Sequence, residues 1–277
     1  MIALLADDLV RGALREDLGR AGDLTTEAIV PSDAVGRARV VARSRGVISG
    51  VAVLERVFAL LDPRVRVEIA VGDGGAVEPG ATVATISGPL RAILTGERTA
   101  LNFVGRLSGI ATATARLVAL VAGTRATIVD TRKTTPGLRA LEKAAVRHGG
   151  GANHRFGLDD AILIKDNHVA VAGGIVPAIA AARARAGHLV KIEVEVDTLE
   201  QLDQALAHGA DIVLLDNFSP AQLREAVART AGRALLEASG GIDATTIRAV
   251  AESGVDLISV GALTHSAPAL DVGLDLE

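Results

Sequence analysis

Residues 190–216, VKIEVEVDTLEQLDQALAHGADIVLLD, decide the fold class of this chain. Two β-branched apolar segments, residues 190–196 and 212–216, flank a stretch with helical spacing at residues 199–207, so the pattern predicts strand, helix, strand. Strands this apolar are typical of a parallel sheet that is covered on both faces. We therefore predict an α/β domain built from repeated strand and helix units.

The same alternation extends to both sides of this stretch. Thr198, Ser219 and Asp243 stand where the N-caps of three helices are expected. The predicted strands are residues 126–130, 161–165, 190–196, 212–216, 234–238 and 257–261, and the predicted helices are residues 138–147, 175–186, 199–207, 221–229 and 244–252.

Polar residues at the ends of these strands distinguish between two parallel architectures. An open doubly wound sheet gathers its ligands at a switch point, whereas a closed barrel brings the carboxyl end of every strand to one rim. Almost every predicted strand ends in charged or polar residues, such as Asp130, Lys165 and Asp216. The pattern favours a barrel, and because the readable strands fall short of the eight in a complete barrel, we predict an incomplete, TIM-like α/β barrel.

The first hundred residues have a different pattern. Short predicted strands at residues 40–53, 65–71 and 81–86 alternate with glycine turns, and helices are expected at residues 53–61 and from about Thr95 onward. Within this region VGDGGAVEPGATVATISG, residues 71–88, resembles the glycine-spaced hairpins of lipoyl-like hammerhead modules. No lysine stands at the hairpin tip, so we expect a scaffold or dimerisation role rather than a carrier role.

The chain length of 277 residues suits a barrel with a smaller second domain. We predict an N-terminal open-faced α/β domain, residues 1–109, and a barrel domain, residues 110–267. The C-terminal tail, residues 268–277, can return to the N-terminal domain.

Composition excludes several classes of protein. Lys and Arg number 29 against 33 Asp and Glu, and the net charge of −4 argues against partners bound by bulk positive charge, such as nucleic acids or membrane surfaces. Aromatic residues make up 1% of the chain, which leaves few stacking platforms for single strands, and the absence of cysteine excludes disulfides and thiolate sites. The first residues lack a basic segment typical of a signal peptide, so we expect a cytoplasmic protein.

A cluster of cationic residues is predicted at the barrel rim. Arg132 and Lys133 stand just after the end of the first predicted strand, His154 and Arg155 lie in a glycine-rich loop, and Lys165 ends the second strand. Five potential cations at one rim repel one another unless an anion lies among them. Arg forms bidentate contacts with carboxylates or phosphates and Lys supplies a point charge, so the ligand should carry several anionic groups.

Carboxylates and glycines complete the predicted site. Glu195 and Asp216, on adjacent strand ends, suit Mg²⁺, ribose hydroxyls or positive charge that develops on a sugar. Small residues at the two last strand ends let backbone N–H groups approach a phosphate. These residues are Ser239, Gly240, Gly241, Val260, Gly261 and Ala262. Zinc-binding histidine spacing and a P-loop are both absent from the sequence.

With these residues in place, the sequence resembles the quinolinate phosphoribosyltransferase family, also called nicotinate-nucleotide pyrophosphorylase (carboxylating). The resemblance runs nearly from end to end. It is carried by EDLG (residues 16–19), GDLTT (22–26), ERTALN (97–102), TRKTTPGLR (131–139), NHR (153–155), GL (157–158), IKDNH (164–168), EVEV (193–196), LDN (215–217), SGGI (239–242) and VGALTH (260–265).

The resemblance implies a homodimer in which an arginine of one chain, here Arg98, completes the site of its neighbour. It also implies a role for each member of the predicted site. Quinolinate would contact Arg132, His154, Arg155 and Lys165, while phosphoribosyl pyrophosphate with Mg²⁺ would contact Lys133, Glu195, Asp216, Ser239, Gly240, Gly241, Val260, Gly261 and Ala262. Lys143 and His265 match positions with less defined roles.

The implied reaction transfers phosphoribosyl to quinolinate and releases pyrophosphate and CO₂, giving nicotinate mononucleotide for de novo NAD synthesis. Three alternatives differ in chemistry. A related transferase would use another aromatic acceptor, an aldolase would form a Schiff base at Lys165, and a binding protein built on the hammerhead-like segment would release no pyrophosphate.

Overall fold

The computed structural model describes residues 2–277, which form two compact units. The first unit consists of residues 2–115, 134–150 and 263–277, and the second, called the barrel unit below, consists of residues 116–133 and 151–262. Neither unit is one continuous segment of chain. Residues 134–150, which the sequence pattern assigns to the barrel domain, group with the first unit.

The elements follow one another in this order along the chain. The helices are α1 Ile2–Leu18, α2 Leu24–Ile29, α3 Val51–Leu61, α4 Leu90–Leu120, α5 Arg139–His148, α6 Asp166–Ala172, α7 Ile175–Arg185, α8 Leu199–Ala207, α9 Pro220–Thr230, α10 Ile247–Ala251 and α11 Ala262–His265. The strands are β1 Val35–Ala42, β2 Gly46–Val47, β3 Arg66–Ile69, β4 Ala76–Val77, β5 Thr82–Pro89, β6 Thr127–Val129, β7 Ile162–Ile164, β8 Ile192–Val196, β9 Ile212–Asp216, β10 Leu235–Ser239, β11 Leu257–Ser259 and β12 Val272–Leu276.

The first unit contains a four-stranded antiparallel sheet with the strand order β12-β1-β5-β3. One edge strand comes from the C-terminal tail, since β12 pairs with β1 from Ala38 opposite Leu276 to Ala42 opposite Val272. The central strands supply fully buried residues to the core, among them Ile86 on β5. The α/β class predicted for this part of the chain is confirmed.

One predicted strand of the first unit is wrong over much of its length. The pattern at residues 40–53 predicts a strand, but β1 ends at Ala42 and α3 begins at Val51. Gly50, at φ +100°, turns the chain into the helix. The Asp73 carboxylate accepts hydrogen bonds from the backbone N–H groups of Gly50 (2.7 Å) and Val51 (3.1 Å). A carboxylate distant in sequence therefore caps α3, and local hydrophobicity does not reveal such a cap.

Helix α4 starts earlier than the sequence pattern suggests, at Leu90 rather than near Thr95, and it has 31 residues. By length and composition alone this helix could cross a membrane, but the core helix of a soluble protein passes the same test. The side chains of Ile93, Val104 and Ile110 on α4 are fully buried. These residues make α4 a core element of the fold.

The barrel unit contains six parallel strands in the order β6-β11-β10-β9-β8-β7. All six strands predicted from the sequence are present, and their bounds differ from the prediction by no more than two residues at an end. A short segment extends the sheet beyond β6, because Ala152 forms a parallel bridge with Val129. The predicted parallel α/β architecture is confirmed.

A contact between distant strands shows that this sheet is curved. In a flat sheet the segment at Ala152 would lie five strand spacings from β8, on the order of 24 Å. The ring of His154, two residues further on, nevertheless places Nε2 3.0 Å from Glu193 Oε2 on β8. The sheet therefore curls into an incomplete barrel, in which β6 and β7 are not hydrogen-bonded to each other.

Two of the three predicted N-caps are confirmed. The Thr198 hydroxyl accepts the Gln201 N–H (3.2 Å) at the start of α8, and Ser219 forms a capping box at the start of α9. The prediction for Asp243 is wrong, since α10 begins only at Ile247. Asp243 instead accepts the N–H groups of Thr245 and Thr246 and closes a turn before the helix.

Candidate active site

The carboxyl ends of the six parallel strands form one rim of the barrel unit, called the carboxyl rim here. Arg132 and Lys133 follow β6, Lys165 follows β7, and Asp216 ends β9. Because parallel strands all end at the same edge, these residues share one rim. The other predicted residues at or beside it are His154, Arg155, Glu195, Ser239, Gly240, Gly241, Val260, Gly261 and Ala262.

Two arginines at this rim have buried donors without a hydrogen-bond partner. The Nε atoms of Arg132 and Arg155 are both buried and unpartnered. One other donor of Arg155, Nη1, is used by the carbonyl oxygen of Ala161 (3.2 Å). Burial and the nearby charge of Arg132 lower the pKa of Arg155. Two partly buried guanidinium groups that repel each other would be stabilised by an anion that accepts hydrogen bonds from both.

A cation and two carboxylates form the next part of the rim. Lys165 Nζ pairs with Glu195 Oε2. Burial raises the pKa of Asp216, and the negative charges of Glu195 and Asp197 raise it further, while Lys165 and Lys133 oppose this shift. The carboxylates at this rim therefore repel one another, and a group that carries positive charge would relieve this repulsion.

Asn217 holds Asp216 in place, a role that the sequence analysis missed. Its backbone has a left-handed conformation, with φ +56°, which is uncommon for a residue other than glycine. Asn217 Nδ2 donates to Asp216 Oδ2 (2.6 Å), and its backbone N–H donates to the carbonyl oxygen of Ser239 (2.9 Å). A Cβ atom at Gly240 would lie 2.1 Å from Asn217 Oδ1, so no side chain fits at Gly240 without moving Asn217.

Three polar side chains meet inside the barrel below the rim, two of them on strands β8 and β10. His154 Nε2 lies 3.0 Å from Glu193 Oε2 and 3.6 Å from Glu237 Oε2. Glu193 is 4% exposed and Glu237 is 1% exposed. Burial, reinforced by the charge of Glu193, raises the pKa of Glu237 to about 7. The sequence signal for these two residues was a glutamate within a largely apolar strand.

The sequence pattern did not predict the short helix α6. Asp166, Asn167 and His168 form its first turn. His168 Nδ1 accepts the backbone N–H of Lys165 (3.0 Å), and this contact fixes the start of the helix. Lys165 is therefore held at its backbone by His168 and at its ammonium by Glu195.

Three predicted residues belong to the first unit rather than to the barrel unit. Arg98 lies on α4 with its side chain 65% exposed, 3.9 Å from Glu97. Lys143 lies on α5 and is 1% exposed, so its ammonium is not available on the surface of this chain. His265 ends α11 and bonds through Nδ1 to Ser266 Oγ (2.6 Å).

Family models of two protein domains match the chain. The one described as the C-terminal domain of quinolinate phosphoribosyl transferase matches residues 110–275, and the one for the N-terminal domain matches residues 23–108. Together they cover most of the sequence, including the whole barrel unit.

Curated relatives agree with the domain matches. The chain is 51% identical over 280 residues to the nicotinate-nucleotide pyrophosphorylase (carboxylating) of Mycobacterium leprae, covering 98% of this chain and 97% of the relative. It is 47% identical over 261 residues to the probable enzyme of the same name from Bacillus subtilis, covering 94% and 90%. A solved nicotinate-nucleotide pyrophosphorylase from Francisella tularensis superposes with a TM-score of 0.96 at 41% identity, covering 99% of this chain and 97% of that one.

Proposed function

This chain belongs to the quinolinate phosphoribosyltransferase family, and from that premise we propose how its barrel unit performs the reaction. The activity is the transfer of phosphoribosyl from phosphoribosyl pyrophosphate to quinolinate with loss of CO₂, a pentosyl transfer that supplies nicotinate mononucleotide for NAD synthesis. The Schiff-base aldolase and the non-catalytic binding protein are thereby set aside.

Quinolinate is bound by the two arginines of the carboxyl rim. The observation that supports this assignment most directly is the pair of buried, unpartnered Nε atoms on Arg132 and Arg155. A ring with two adjacent carboxylates supplies acceptors for both guanidinium groups and offsets the repulsion between them. Lys165 stands at the same rim and adds a third positive charge to this part of the site.

Phosphoribosyl pyrophosphate is bound by the later strands of the rim. Backbone N–H groups after β10 and β11 suit its 5′-phosphate, because no Cβ atom shields the backbone at Gly240, Gly241 and Gly261. Lys133 is placed to neutralise the pyrophosphate. Glu195 and Asp216 accept hydrogen bonds from the ribose hydroxyls and stabilise the positive charge that develops on the sugar.

Mg²⁺ fits the carboxylate part of this site. Glu195 and Asp216 offer oxygen ligands, and burial, followed by the negative charges of Glu195 and Asp197, raises the pKa of Asp216. When bound, Mg²⁺ supplies positive charge that neutralises the leaving pyrophosphate. Glu195 and Asp216 are the residues that would hold it.

The reaction needs orientation more than acid–base chemistry. The ring nitrogen of quinolinate forms a bond to the anomeric carbon of the ribose while the bond from that carbon to pyrophosphate breaks. The product is a pyridinium, whose nitrogen accepts the electron pair left on carbon 2 when CO₂ departs, and carbon 2 then takes a proton. Arg132 and Arg155 keep the ring nitrogen aimed at the sugar that Glu195 and Asp216 stabilise.

A second copy of the chain completes the site through Arg98, and the homodimer works in the cytoplasm. The exposed position of Arg98 on α4 supports this proposal, because its guanidinium is free to reach another molecule. Mixing two inactive variants, Arg98→Ala and Asp216→Ala, tests this proposal. Activity should return when the subunits exchange, because one of the two sites in each mixed dimer keeps both Arg98 and Asp216. A mixture that stays inactive after exchange would rule out the shared site.

The acceptor is tested by calorimetric titration of the protein with quinolinate and, separately, with nicotinate. Two arginines with unpartnered donors predict that the diacid binds much more tightly than the monoacid. Tighter binding of nicotinate would assign the chain to a transferase with a different aromatic acceptor.

A further inference from the structure

The three side chains inside the barrel are not used by the reaction described above. His154, Glu193 and Glu237 place one ligand atom each within 4.8 Å of one another. The Oε1 atoms of Glu193 and Glu237 are buried and lack a hydrogen-bond partner. An imidazole beside two buried carboxylates has the ligand types of a metal site, so the protonation of the ring decides what this cluster does.

The protonation of His154 follows from the hydrogen bonds made by its two ring nitrogens. The backbone N–H of Arg155 donates to His154 Nδ1 (2.7 Å), so Nδ1 presents its lone pair and carries no proton. The proton of the neutral ring is then on Nε2, which faces Glu193 Oε2 at 3.0 Å. A metal ion at Nε2 would need the lone pair that this proton occupies. The contact is therefore a hydrogen bond from imidazole to carboxylate rather than a vacant metal site.

This hydrogen bond is the last link of a chain that fixes three consecutive residues. The Asp130 carboxylate is fully buried and accepts from Asn153 Nδ2 (2.6 Å) and from the backbone N–H of His154 (2.9 Å). The ring of His154 accepts the N–H of Arg155 and donates to Glu193. The backbone of Arg155 is thus connected to β6 on one side and to β8 on the other.

We propose that Glu193 is a positioning residue for the acceptor: it holds His154 as the neutral Nε2–H tautomer, and His154 in turn fixes the backbone from which Arg155 reaches the substrate. The proposal rests on the proposed function in one respect, that Arg155 binds quinolinate. It changes the role of His154, which acts as a neutral link inside the barrel and not as one of the substrate-binding cations. Glu193 does not touch the reacting atoms.

Two substitutions at Glu193 separate this role from a merely structural one. Glu193→Ala removes the acceptor for Nε2–H, and we expect the KM for quinolinate to rise about tenfold, which corresponds to the loss of one hydrogen bond of about 1.4 kcal/mol. The KM for phosphoribosyl pyrophosphate should change by less than about twofold, since Arg155 does not bind that substrate. Glu193→Gln keeps a side-chain oxygen at the same place and should restore the quinolinate KM to near the wild-type value.

Asp211→Asn is the matched control, because Asp211 also accepts a hydrogen bond from β8, through the backbone N–H of Ile192 (2.9 Å), but its carboxylate pairs with Lys191 and Arg183 at the amino end of the sheet. It should lower stability and leave both KM values unchanged. If Glu193→Gln is impaired as severely as Glu193→Ala, or if both KM values rise together, the positioning role is wrong.

Nitrogen NMR of histidine-labelled protein gives a readout that needs no activity. The signals of His154, assigned by comparison with His154→Gln, should show a protonated Nε2 and an unprotonated Nδ1 at neutral pH. A protonated Nδ1, an imidazolium or a metal-bound Nε2 would overturn the proposal. If the wild-type protein failed to use quinolinate, the proposed function would fail instead, and the tautomer would still be measurable.

Discussion

The two ends of the barrel sheet differ in whether their charged side chains find partners within the chain. At the amino end, Asp211 accepts the N–H of Ile192 (2.9 Å) and pairs with Lys191 (3.2 Å) and Arg183 (3.5 Å). In the same way, Asp256 accepts the N–H of Leu236 (2.9 Å) and pairs with Arg125. Both carboxylates therefore find their partners within the chain, and both join the starts of neighbouring strands.

At the carboxyl rim and just below it, several charged groups keep a buried atom without such a partner. Arg132 and Arg155 each keep a buried Nε without a partner, and Glu193 and Glu237 each keep a buried Oε1 without one. A polar cavity of about 430 Å³ lies at the amino end, so a cavity alone does not identify the site. The two ends differ in whether charged side chains have partners from the protein itself. Charged groups with unpartnered atoms lie at the end that we propose binds the substrates.

The largest effect that this comparison predicts is at Arg155. Arg155→Ala removes a guanidinium whose buried Nε lacks a partner, and quinolinate affinity should fall on the order of a hundredfold to a thousandfold. The affinity for phosphoribosyl pyrophosphate should change only slightly. Titration of the variant with each substrate measures both effects. An equal loss of affinity for both substrates would mean that Arg155 maintains the structure of the whole rim rather than binding quinolinate.

Glu237, a buried glutamate below the rim, predicts a gain on substitution rather than a loss, and the gain is in the free energy of unfolding. The pKa of Glu237 is raised from 4.5 to about 7 in the folded protein, so the folded state keeps a proton that the unfolded chain loses in this range. Stability from this group is present below pH 4.5 and is lost as pH rises towards and through 7. Glu237→Gln stays neutral, and relative to wild type it should gain as much as about 3 kcal/mol between pH 4 and pH 8.

Urea unfolding of both proteins across this pH range measures that gain. Glu252→Gln is the control, because Glu252 is exposed at the end of α10 and pairs with Arg248 on the surface. Its difference from wild type should vary little with pH. A pH-independent difference for Glu237→Gln would show that Glu237 is already ionised in the folded protein.

Periodicity and strand order made much of the barrel predictable. The bounds of β9 and α8 agree with the sequence pattern, since an apolar run and a helical repeat are both local signals. Arg132, Lys133 and Lys165 could be assigned to one rim for a related reason: each follows a predicted parallel strand, and the fold brings those ends together.

Interactions between distant residues could not be predicted in this way. The positive φ of Asn217 and its contact with Asp216 depend on the close approach of Gly240 from the next strand. The meeting of Glu237 with His154 depends on the curvature of the sheet, which no local pattern specifies. Both features required coordinates because they join residues from different strands.

The contact between Gly240 and Asn217 predicts a smaller effect at the carboxyl rim. In Gly240→Ala the added Cβ would lie 2.1 Å from Asn217 Oδ1, so Asn217 must move and Asp216 loses its hydrogen bond. We expect kcat to fall about thirtyfold, equivalent to about 2 kcal/mol. Gly232→Ala is the control, since Gly232 also has a positive φ, +78°, but has nothing within 4 Å of an added Cβ. It should lose stability and keep kcat.

The smallest effect is expected at the amino end, with Asp256→Asn. The amide oxygen can still accept the N–H of Leu236, so the variant loses chiefly the ion pair with Arg125, whose side chain is 66% exposed. An exposed pair of this kind contributes about 0.5–1 kcal/mol, and the urea midpoint should fall accordingly. Both KM values and kcat should stay at wild-type values, because the charges at this end are balanced within the chain. A raised KM would show that the amino end also shapes the substrate site, and the separation between the two ends would not hold.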